Sequence, residues 1–421
     1  MVLQRGMPVP LWGTGDSGEE ITVTLQSQSR SVVVGGNGKW KVRLDPLAAG
    51  GPFTLAIRGK NGLVIGDVLV GEVWLCGGQS NMDYPMGFFA NNADTARVAD
   101  IPGLRFLNLR EGRPWAACTP VRAEGFSAAG FYFGRELHRR LGVPVGIIES
   151  AVGGSPLEAW MDPASVAADP SLAGDTAAGA LFRSCISPLV PFAMRGTAFY
   201  QGESNVGMAS EYRRRFPSLI AGWRKAWGQG DFPFLFVQLP NIGGRQKRPG
   251  GRSDWAELRD AQRQALEVPN TGMAVAIDIG DPYDIHPHDK RSVGLRLALP
   301  ALALTYGQKD LIYSGPLFET LARQGSRVHL RFRHVGGGLV AKGDGTVNGF
   351  ALTGGGDKWA WAKAEIHGDT VTVWNARVPT PLRVRYAWHD NPIGNLCNAE
   401  GLPASPFEAA VPAGPGGAPS E

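Results

Sequence analysis

A serine beside two glycines has the setting expected of an enzyme nucleophile. The segment 76–82 reads Cys-Gly-Gly-Gln-Ser-Asn-Met and follows the apolar runs 68–70 and 73–75, which predict a buried strand. The glycines allow a tight backbone path, and a hydroxyl at the carboxyl end of a strand lies where open α/β sheets hold their ligands. We therefore predict that Ser80 is a nucleophile. The alternative is an ordinary turn or helix N-cap serine.

A nucleophilic serine needs a base, and the chain offers seven histidines. His286 lies in a polar loop after the apolar run 273–277, which predicts another buried strand. Asp284 stands two residues earlier, so its carboxylate can accept a hydrogen bond from one ring nitrogen and leave the other for Ser80. A serine followed late in the domain by an acid and a histidine is the order of a flattened α/β esterase without a Gly-x-Ser-x-Gly turn.

The same loop has a second interpretation as a metal site or a solvated loop. His288 and Asp289 lie beside Asp284 and His286, and all four side chains are possible metal ligands. No second cluster of comparable density completes such a site, so we predict that the chain binds no metal.

Two further strand ends carry groups that can stabilise an oxyanion. The apolar run 145–148 leads to Gly153 and Gly154, whose backbone N–H groups can donate to a developing negative charge. The run 196–200 leads to Gln201 and Asn205, either of which can supply a side-chain amide. Taken singly, each segment is better explained as a turn whose amides satisfy one another.

Together these motifs resemble the sialate O-acetylesterase family of SGNH-type carbohydrate esterases. The similarity extends to the amino-terminal residues 1–13 and to strand-like segments near the carboxyl end, so it covers nearly the whole chain. The central motifs that carry it are Gly-Gly-Gln-Ser-Asn-Met, Gly-Gly-Ser-Pro-Leu-Glu-Ala-Trp, Tyr-Gln-Gly-Glu-Ser-Asn and Asp-Ile-His-Pro.

The resemblance implies a role for each candidate residue. Ser80 is the nucleophile, His286 the base and Asp284 its acidic partner. The oxyanion hole is formed by the Ser80 amide, a glycine amide at Gly154 or Gly153, and the Gln201 side chain.

The chain departs from the pattern of SGNH hydrolases at one position. These enzymes place the acid three residues before the histidine, where this chain has Tyr283. Glu203 is the substitute acid to consider, and a buried structural carboxylate paired with an arginine is the alternative for it. Asn205 remains a further candidate for substrate binding.

Composition excludes several other classes of protein. The 421 residues carry a net charge of +4 without a basic and aromatic run, so no nucleic-acid groove is indicated. No stretch of about 18 apolar residues is present to span a membrane. Met1 leads directly into a strand-like pattern instead of a signal peptide, and the family resemblance alone suggests export. The four cysteines are too few and too scattered for a disulfide framework, although one bridge is possible.

The hydrophobic period changes twice along the chain and predicts three segments. Alternation in 1–67 indicates an antiparallel β-sandwich segment, as in 21–25, 40–44 and 53–57. Buried strands alternate with helical stretches in 68–308, which predicts an SGNH-like α/β domain with a parallel sheet covered on both faces. Alternation returns in 309–421 and predicts a second β segment, packed with the first one, and a frayed tail from residue 414.

We therefore predict a serine esterase that removes O-acetyl groups from sugars through an acetyl-enzyme and uses no cofactor. The substrate is an acetylated mono-, oligo- or polysaccharide: sialic acid, or alternatively acetylated xylan, xyloglucan or another polysaccharide. A lipid or thioester hydrolase would need an apolar acyl channel, which the sequence does not indicate. A carbohydrate-binding protein without activity is the alternative from another class. The sequence indicates no oligomeric state.

Overall fold

The computed structural model describes residues 1–97, 99–109 and 112–412. The chain forms two compact units, Met1–Tyr200 with Ser218–Phe234, and Gln201–Pro217 with Leu235–Glu421. The predicted division into 1–67, 68–308 and 309–421 stays a prediction, as does the packing of the two β segments. The tail predicted to fray from residue 414 lies outside the described residues.

The strands of the chain up to residue 200 are β1 (Val2–Gln4), β2 (Val9–Thr14), β3 (Glu20–Leu25), β4 (Gln28–Val33), β5 (Lys39–Leu44), β6 (Gly50–Arg58), β7 (Gly62–Gly78), β8 (Ile101–Asn108), β9 (Ala116–Cys118), β10 (Val145–Ala151) and β11 (Gly196–Tyr200). The later strands are β12 (Phe234–Gln238), β13 (Thr271–Val275), β14 (Leu317–Gln324), β15 (Arg327–Arg333), β16 (Leu339–Ala341), β17 (Phe350–Thr353), β18 (Trp359–Trp361), β19 (Lys363–His367), β20 (Thr370–Trp374), β21 (Arg383–Tyr386), β22 (Leu396–Asn398) and β23 (Phe407–Ala410).

The α-helices are α1 (Ser80–Asp83), α2 (Ala90–Arg97), α3 (Pro120–Glu124), α4 (Ala128–Leu141), α5 (Pro163–Ala167), α6 (Ala209–Trp227), α7 (Asp254–Gln264) and α8 (Lys290–Pro300). Local sequence explains the bounds of α4, since the Ser127 side chain accepts a hydrogen bond from the Gly130 amide and Gly142 ends the helix with φ +63°. No helix in the described parts of the chain is long and apolar enough to cross a lipid bilayer.

The long strand β7 organises the sheet of the first unit. Its first part pairs antiparallel with β6, and from Val68 onward it is buried and pairs in parallel with β1, β10 and β11. β10 pairs with β7 along one edge and in parallel with β8 along the other. The strand order within this unit is therefore β11-β7-β10-β8-β9. Parallel strands end at the same edge of a sheet, so the residues that follow β7, β8 and β10 are brought close together.

Alternating residues form a separate core in the amino-terminal part of the same unit. In β5, for example, Trp40, Val42 and Leu44 are buried while the residues between them are exposed. Their side chains join a cluster with residues of β3 and β7. The predicted strands at 21–25, 40–44 and 53–57 are confirmed as β3, β5 and β6.

The second unit contains antiparallel sheets in the carboxyl-terminal part of the chain. One has the strand order β14-β15-β20-β19 and another β18-β17-β21-β23. Buried residues of both sheets, including Leu330, Val371, Leu352 and Phe407, share one hydrophobic cluster. The fold is thus the predicted α/β class with additional antiparallel sheets. The possible disulfide is not formed, since all four cysteines are free thiols.

Candidate active site

The backbone before Ser80 follows a path that only glycine allows. Gly78 ends β7 with φ +130°, and a Cβ atom added to it would lie 2.1 Å from the carbonyl oxygen of Tyr200. The Gln79 amide donates to that same oxygen at 2.9 Å. Ser80 then begins the short helix α1. The serine is therefore held at the carboxyl edge of the parallel sheet, as the sequence predicts.

Ser80 opens onto a cavity lined by described residues of the first unit. Its volume is about 350 Å³. Among the residues that the structure describes, the lining combines Ser80 with groups of the neighbouring strands and loops: Ser80, Asp83, Tyr84, Pro85, Asn108, Gly125, Glu149 and Gly153. A concave site with a serine hydroxyl and a few polar groups at this edge of an α/β sheet has the features of a ligand pocket.

The glycine loop after β10 reaches the serine. A Cβ atom added to Gly153 would lie 3.6 Å from the Ser80 Cβ, whereas Gly154 has open space around its Cβ position and φ +70°. Gly153 therefore lies close to Ser80, and Gly154 supplies the backbone conformation that the turn needs. Whether the Gly153 or the Gly154 amide donates to an oxyanion stays a prediction.

Sequence reasoning missed several residues that line the cavity. Asn108 ends β8 and donates from Nδ2 to the Glu149 carboxylate at 3.2 Å, and Glu149 is 3% exposed. Asp83 and Tyr84 follow Ser80 within one turn of helix α1. The only sequence signal for Asn108 and Glu149 is their position at strand ends, and it becomes informative once the strand order is known.

The second unit holds the predicted base and its partner in one loop. The Asp284 Oδ1 atom lies 3.1 Å from His286 Nδ1 and also accepts the backbone N–H of His286 at 2.8 Å. This leaves Nε2 as the ring atom that can exchange a proton elsewhere. Tyr283, at the position where SGNH hydrolases have their acid, is 97% exposed.

Burial and two neighbouring charges set the protonation of His286. Burial lowers the pKa of His286, the negative charge of Asp284 raises it, and the positive charge of Lys290 lowers it; the pKa ends below its ordinary value. The imidazole is therefore neutral at neutral pH, the state that a general base requires.

Lys290 is a buried charged residue that sequence reasoning did not connect to the loop. It is fully buried as the first residue of α8, and burial lowers the pKa of its ammonium group to about 7. The negative charges of Glu203 and Asp284 act in the opposite direction. Lys290 thus connects the loop of His286 electrostatically to the segment that contains Glu203.

The segment from Gln201 to Asn205 is buried and internally hydrogen-bonded. Gln201 Nε2 donates to Asn205 Oδ1 at 2.7 Å, and the Gln201 carbonyl oxygen accepts from Gln262 Nε2 at 3.0 Å. Gly202, with φ +152°, approaches the same Gln262 amide so closely that a Cβ atom would lie 2.9 Å from it. Glu203 is 9% exposed, which agrees with a buried carboxylate. The structure therefore places the two candidate amides side by side.

Each of the two units brings together groups of the types that perform acid–base and nucleophilic chemistry. The first unit brings Ser80 and Gly153 to one cavity, and the second brings Asp284 to His286 and Gln201 to Asn205. Among the side chains of residues 1–97, 99–109 and 112–412, no group of three or more His, Cys, Asp or Glu is arranged to hold a metal ion. His288 lies 3.9 Å from the Asp284 carboxylate.

Comparison with known proteins identifies the class of protein that carries this site. The family model described as "carbohydrate esterase, sialic acid-specific acetylesterase" matches residues 70–302. The sialate O-acetylesterase of Pongo abelii is 30% identical over 99% of this chain and 90% of its own length. The human sialate O-acetylesterase is 33% identical over 77% of this chain and 73% of its own length.

A solved structure is similar over almost the entire chain. The carbohydrate acetylesterase XAC1771 from Xanthomonas citri is 40% identical, with a TM-score of 0.90, and 97% of each chain is covered. The chain belongs to the family of carbohydrate esterases described as sialic acid-specific acetylesterases. It is accordingly a carbohydrate O-acetylesterase, a carboxylic ester hydrolase, and the resemblance seen in the sequence motifs is confirmed.

Proposed function

We propose that Ser80 is the nucleophile of a two-step acyl transfer, with His286 as the general base and Asp284 as the acid that orients it. The observation that carries this proposal is the position of Ser80, on a strand end fixed by Gly78 and open to a cavity of about 350 Å³. The hydrogen-bond distance of 3.1 Å between Asp284 and His286 Nδ1 supports the assignment of the other two residues.

In the first step the Ser80 oxygen attacks the carbonyl carbon of the acetyl group while His286 Nε2 takes the hydroxyl proton. The tetrahedral intermediate collapses to acetyl-Ser80, and the imidazolium gives its proton to the departing sugar oxygen. In the second step water attacks the acetyl-enzyme, His286 takes one proton of that water and returns it to the Ser80 oxygen as its bond to the acetyl carbon breaks, and acetic acid leaves and ionises to acetate in solution. Asp284 stabilises the imidazolium in both steps.

The developing oxyanion accepts hydrogen bonds from backbone and side-chain donors. We assign this role to the Ser80 amide, to the amide of Gly153 or Gly154, and to the Gln201 side chain with Asn205 as its partner. The short Gln201–Asn205 contact supports treating these two amides as one unit. Glu203 is then the buried counter-charge that favours the protonated state of Lys290, and it is not the acid of the triad.

The substrate is an O-acetylated sugar. The curated relatives are named for sialate, whereas the Xanthomonas citri enzyme is named more broadly as a carbohydrate acetylesterase. We propose acetylated sialic acid and acetylated plant or bacterial polysaccharides as the classes to compare. Acetate release from acetylated sialic acid, acetylated xylan fragments and acetylated xyloglucan fragments at equal ester concentration ranks them directly.

The test of the nucleophile is Ser80→Ala. Loss of the single attacking hydroxyl should reduce kcat on an acetyl ester by about 10³ or more. Ser29→Ala, which removes an exposed hydroxyl from β4, is the matched control and should retain full activity. More than a tenth of wild-type activity in correctly folded Ser80→Ala protein would remove Ser80 from the mechanism. A folded wild-type protein that binds acetylated sugars but releases no acetate would instead be a carbohydrate-binding protein.

From the family resemblance we also propose that the enzyme acts on sugars outside the cytoplasm. Fractionation of cells that produce the protein from its native gene tests this, and recovery in the cytoplasmic fraction alone would contradict it.

A further inference from the structure

Three aromatic rings form a contiguous cluster next to Ser80. Tyr84 lines the cavity, and its ring centroid lies 4.5 Å from that of Phe88 and 5.7 Å from that of Phe89. Phe88 and Phe89 meet edge to face with centroids 4.8 Å apart. Phe89 is 5% exposed, whereas Phe88 is 58% exposed. The cluster therefore extends from the cavity wall to an exposed aromatic ring.

The backbone of this segment is held by the rest of the first unit. The Tyr84 amide donates to the Ser80 carbonyl at 2.8 Å, and the Tyr84 carbonyl accepts from Ala128 at 2.9 Å. The Met86 amide donates to Phe126 at 2.9 Å, and the Met86 side chain is fully buried. The exposure of Phe88 is thus fixed by the backbone around it, with Phe89 and Tyr84 as support for its ring.

A single exposed phenylalanine is common on protein surfaces. Phe88 is different, because it contacts the ring of Tyr84, which lines the cavity of Ser80, and such a continuous apolar surface marks a binding site. The face of an aromatic ring carries partial negative charge, and the C–H bonds on one face of a pyranose ring carry partial positive charge, so the two pack favourably. The cavity itself carries carboxylate and amide groups at Asp83, Asn108 and Glu149. A polar pocket for one sugar continues into an aromatic surface of a size and chemistry that suit the next.

We propose that Tyr84 and Phe88 form a stacking subsite for the sugar linked to the acetylated one, so that the enzyme prefers acetylated oligosaccharides and polysaccharides to acetylated monosaccharides. This inference rests on the proposed role of Ser80 at the same cavity. Tyr84 contacts the acetylated sugar and Phe88 contacts its neighbour. The acetyl group points toward Ser80.

The experiment compares kcat/KM for an acetylated xylo-oligosaccharide with kcat/KM for 4-nitrophenyl acetate. In Phe88→Ala the ratio of the two values should fall roughly three- to tenfold, as expected for one lost aromatic contact. Phe88→Trp keeps an aromatic face and should restore the ratio. Trp12→Ala is the matched control, because Trp12 is an aromatic residue of the same unit, 39% exposed, that does not line the cavity; it should leave both values unchanged.

A ratio that stays constant in Phe88→Ala, with acetyl-ester hydrolysis intact, overturns the subsite and leaves the role of Ser80 in place. An equal fall for Phe88→Trp and Phe88→Ala also overturns it, since the aromatic face would then be irrelevant. A fall for 4-nitrophenyl octanoate without one for the oligosaccharide would assign Phe88 to an acyl chain and contradict the proposal. Full activity in Ser80→Ala overturns the proposed function itself, and the subsite with it.

Discussion

Ser80 and His286 are held in contrasting ways. The serine follows a buried parallel strand whose neighbours leave no space for a side chain at Gly78, so many residues across the first unit fix its position. The histidine stands on a loop of the second unit, where a carboxylate two residues away bonds both its backbone N–H and its ring. The proposed nucleophile is positioned by the fold of a whole sheet, whereas the proposed base is oriented by its own local sequence.

The largest expected losses of activity distinguish the members of the proposed triad. His286→Ala should be nearly inactive, because no other group then takes the serine proton. Asp284→Asn should lose about 10² to 10⁴ in kcat, since the imidazole loses the partner that fixes its tautomer and stabilises its charged form. Glu203→Gln should be milder. Steady-state kinetics of the three folded variants with one small acetyl ester measure these effects.

A greater loss in Glu203→Gln than in Asp284→Asn would reverse the assignment. Glu203 would then replace Asp284 as the acid, and the local hydrogen bond to His286 would be structural. Asp310→Asn, which removes an exposed carboxylate after α8, is the control for loss of negative charge in the same unit and should keep full activity.

Substitution of the proposed oxyanion donors should give the next largest loss of activity. Gln201→Ala is expected to lower kcat by roughly 10² to 10³ with little change in KM, because the hydrogen bond strengthens only in the transition state. Gln201 donates to Asn205, so the double variant Gln201→Ala with Asn205→Ala should lose less than the product of the two single losses. Losses that multiply fully would show that the two amides act independently. A large rise in KM alone would make Gln201 a substrate-binding residue.

A buried charge in the first unit offers a test of stability. Glu72 is fully buried in β7 and lies 2.6 Å from Arg5 and 2.7 Å from Arg195. Burial opposes its ionisation, but the hydrogen bond and charge of Arg195 and the hydrogen bonds from Arg5 and Gln4 outweigh burial and lower the pKa of Glu72 below its ordinary value. Glu72→Gln should therefore reduce the free energy of unfolding at pH 7 by about 3 kcal/mol, since it leaves two cations without their carboxylate.

The lowered pKa of Glu72 determines how the stability loss in Glu72→Gln depends on pH. A lowered pKa in the folded state stabilises the protein above the pKa of the unfolded state, and the contribution is lost as pH falls through the folded-state value. Denaturant unfolding at several pH values should show the gap between wild type and Glu72→Gln narrowing in acid. Asp16→Asn breaks an ion pair of the same 2.6 Å length that is exposed, and should have no measurable effect. Equal effects of the two substitutions would contradict the role of burial.

The smallest expected effect is a shift of the pH profile. Lys290→Met removes a positive charge that lowers the pKa of His286, so this pKa should rise. His286 acts as a base only when it is neutral, and activity is lost as pH falls through its pKa. The acid limb of kcat/KM should therefore move to higher pH in Lys290→Met. Lys309→Met is the control, because it removes the same positive charge from an exposed position, and it should leave the acid limb of kcat/KM unchanged. A limb that does not move, or moves to lower pH, would contradict the coupling.

The features of the fold and the site that could be predicted from sequence are those in which neighbours in the chain are neighbours in space. The Asp284–His286 hydrogen bond needs two residues of one loop, and helix α4 needs a cap at Ser127 and a stop at Gly142. The hydrogen bond and the ends of the helix each depend only on residues that are close together in the chain. The alternating strands β3 and β5 were predicted for the same reason.

The missed residues depend on the order of the strands. Asn108 and Glu149 line the cavity because β10 lies between β7 and β8, an order that the succession of strands in the chain does not state. The influence of Lys290 on His286 depends likewise on tertiary burial, since a lysine near a histidine in sequence is ordinarily solvated. The role of Tyr84 became visible only once the cavity and its aromatic neighbours were defined.

The most direct test of the central claim is covalent labelling of the nucleophile. A 4-nitrophenyl phosphonate that mimics the tetrahedral intermediate of acetyl transfer should inactivate the wild-type enzyme with one adduct per chain, and peptide mass spectrometry should place that adduct on Ser80. The extent of labelling should match the activity lost, and Asp284→Asn should react more slowly, because its base is less well oriented. An adduct on another residue, or full activity after Ser80 has been labelled, would contradict the mechanism.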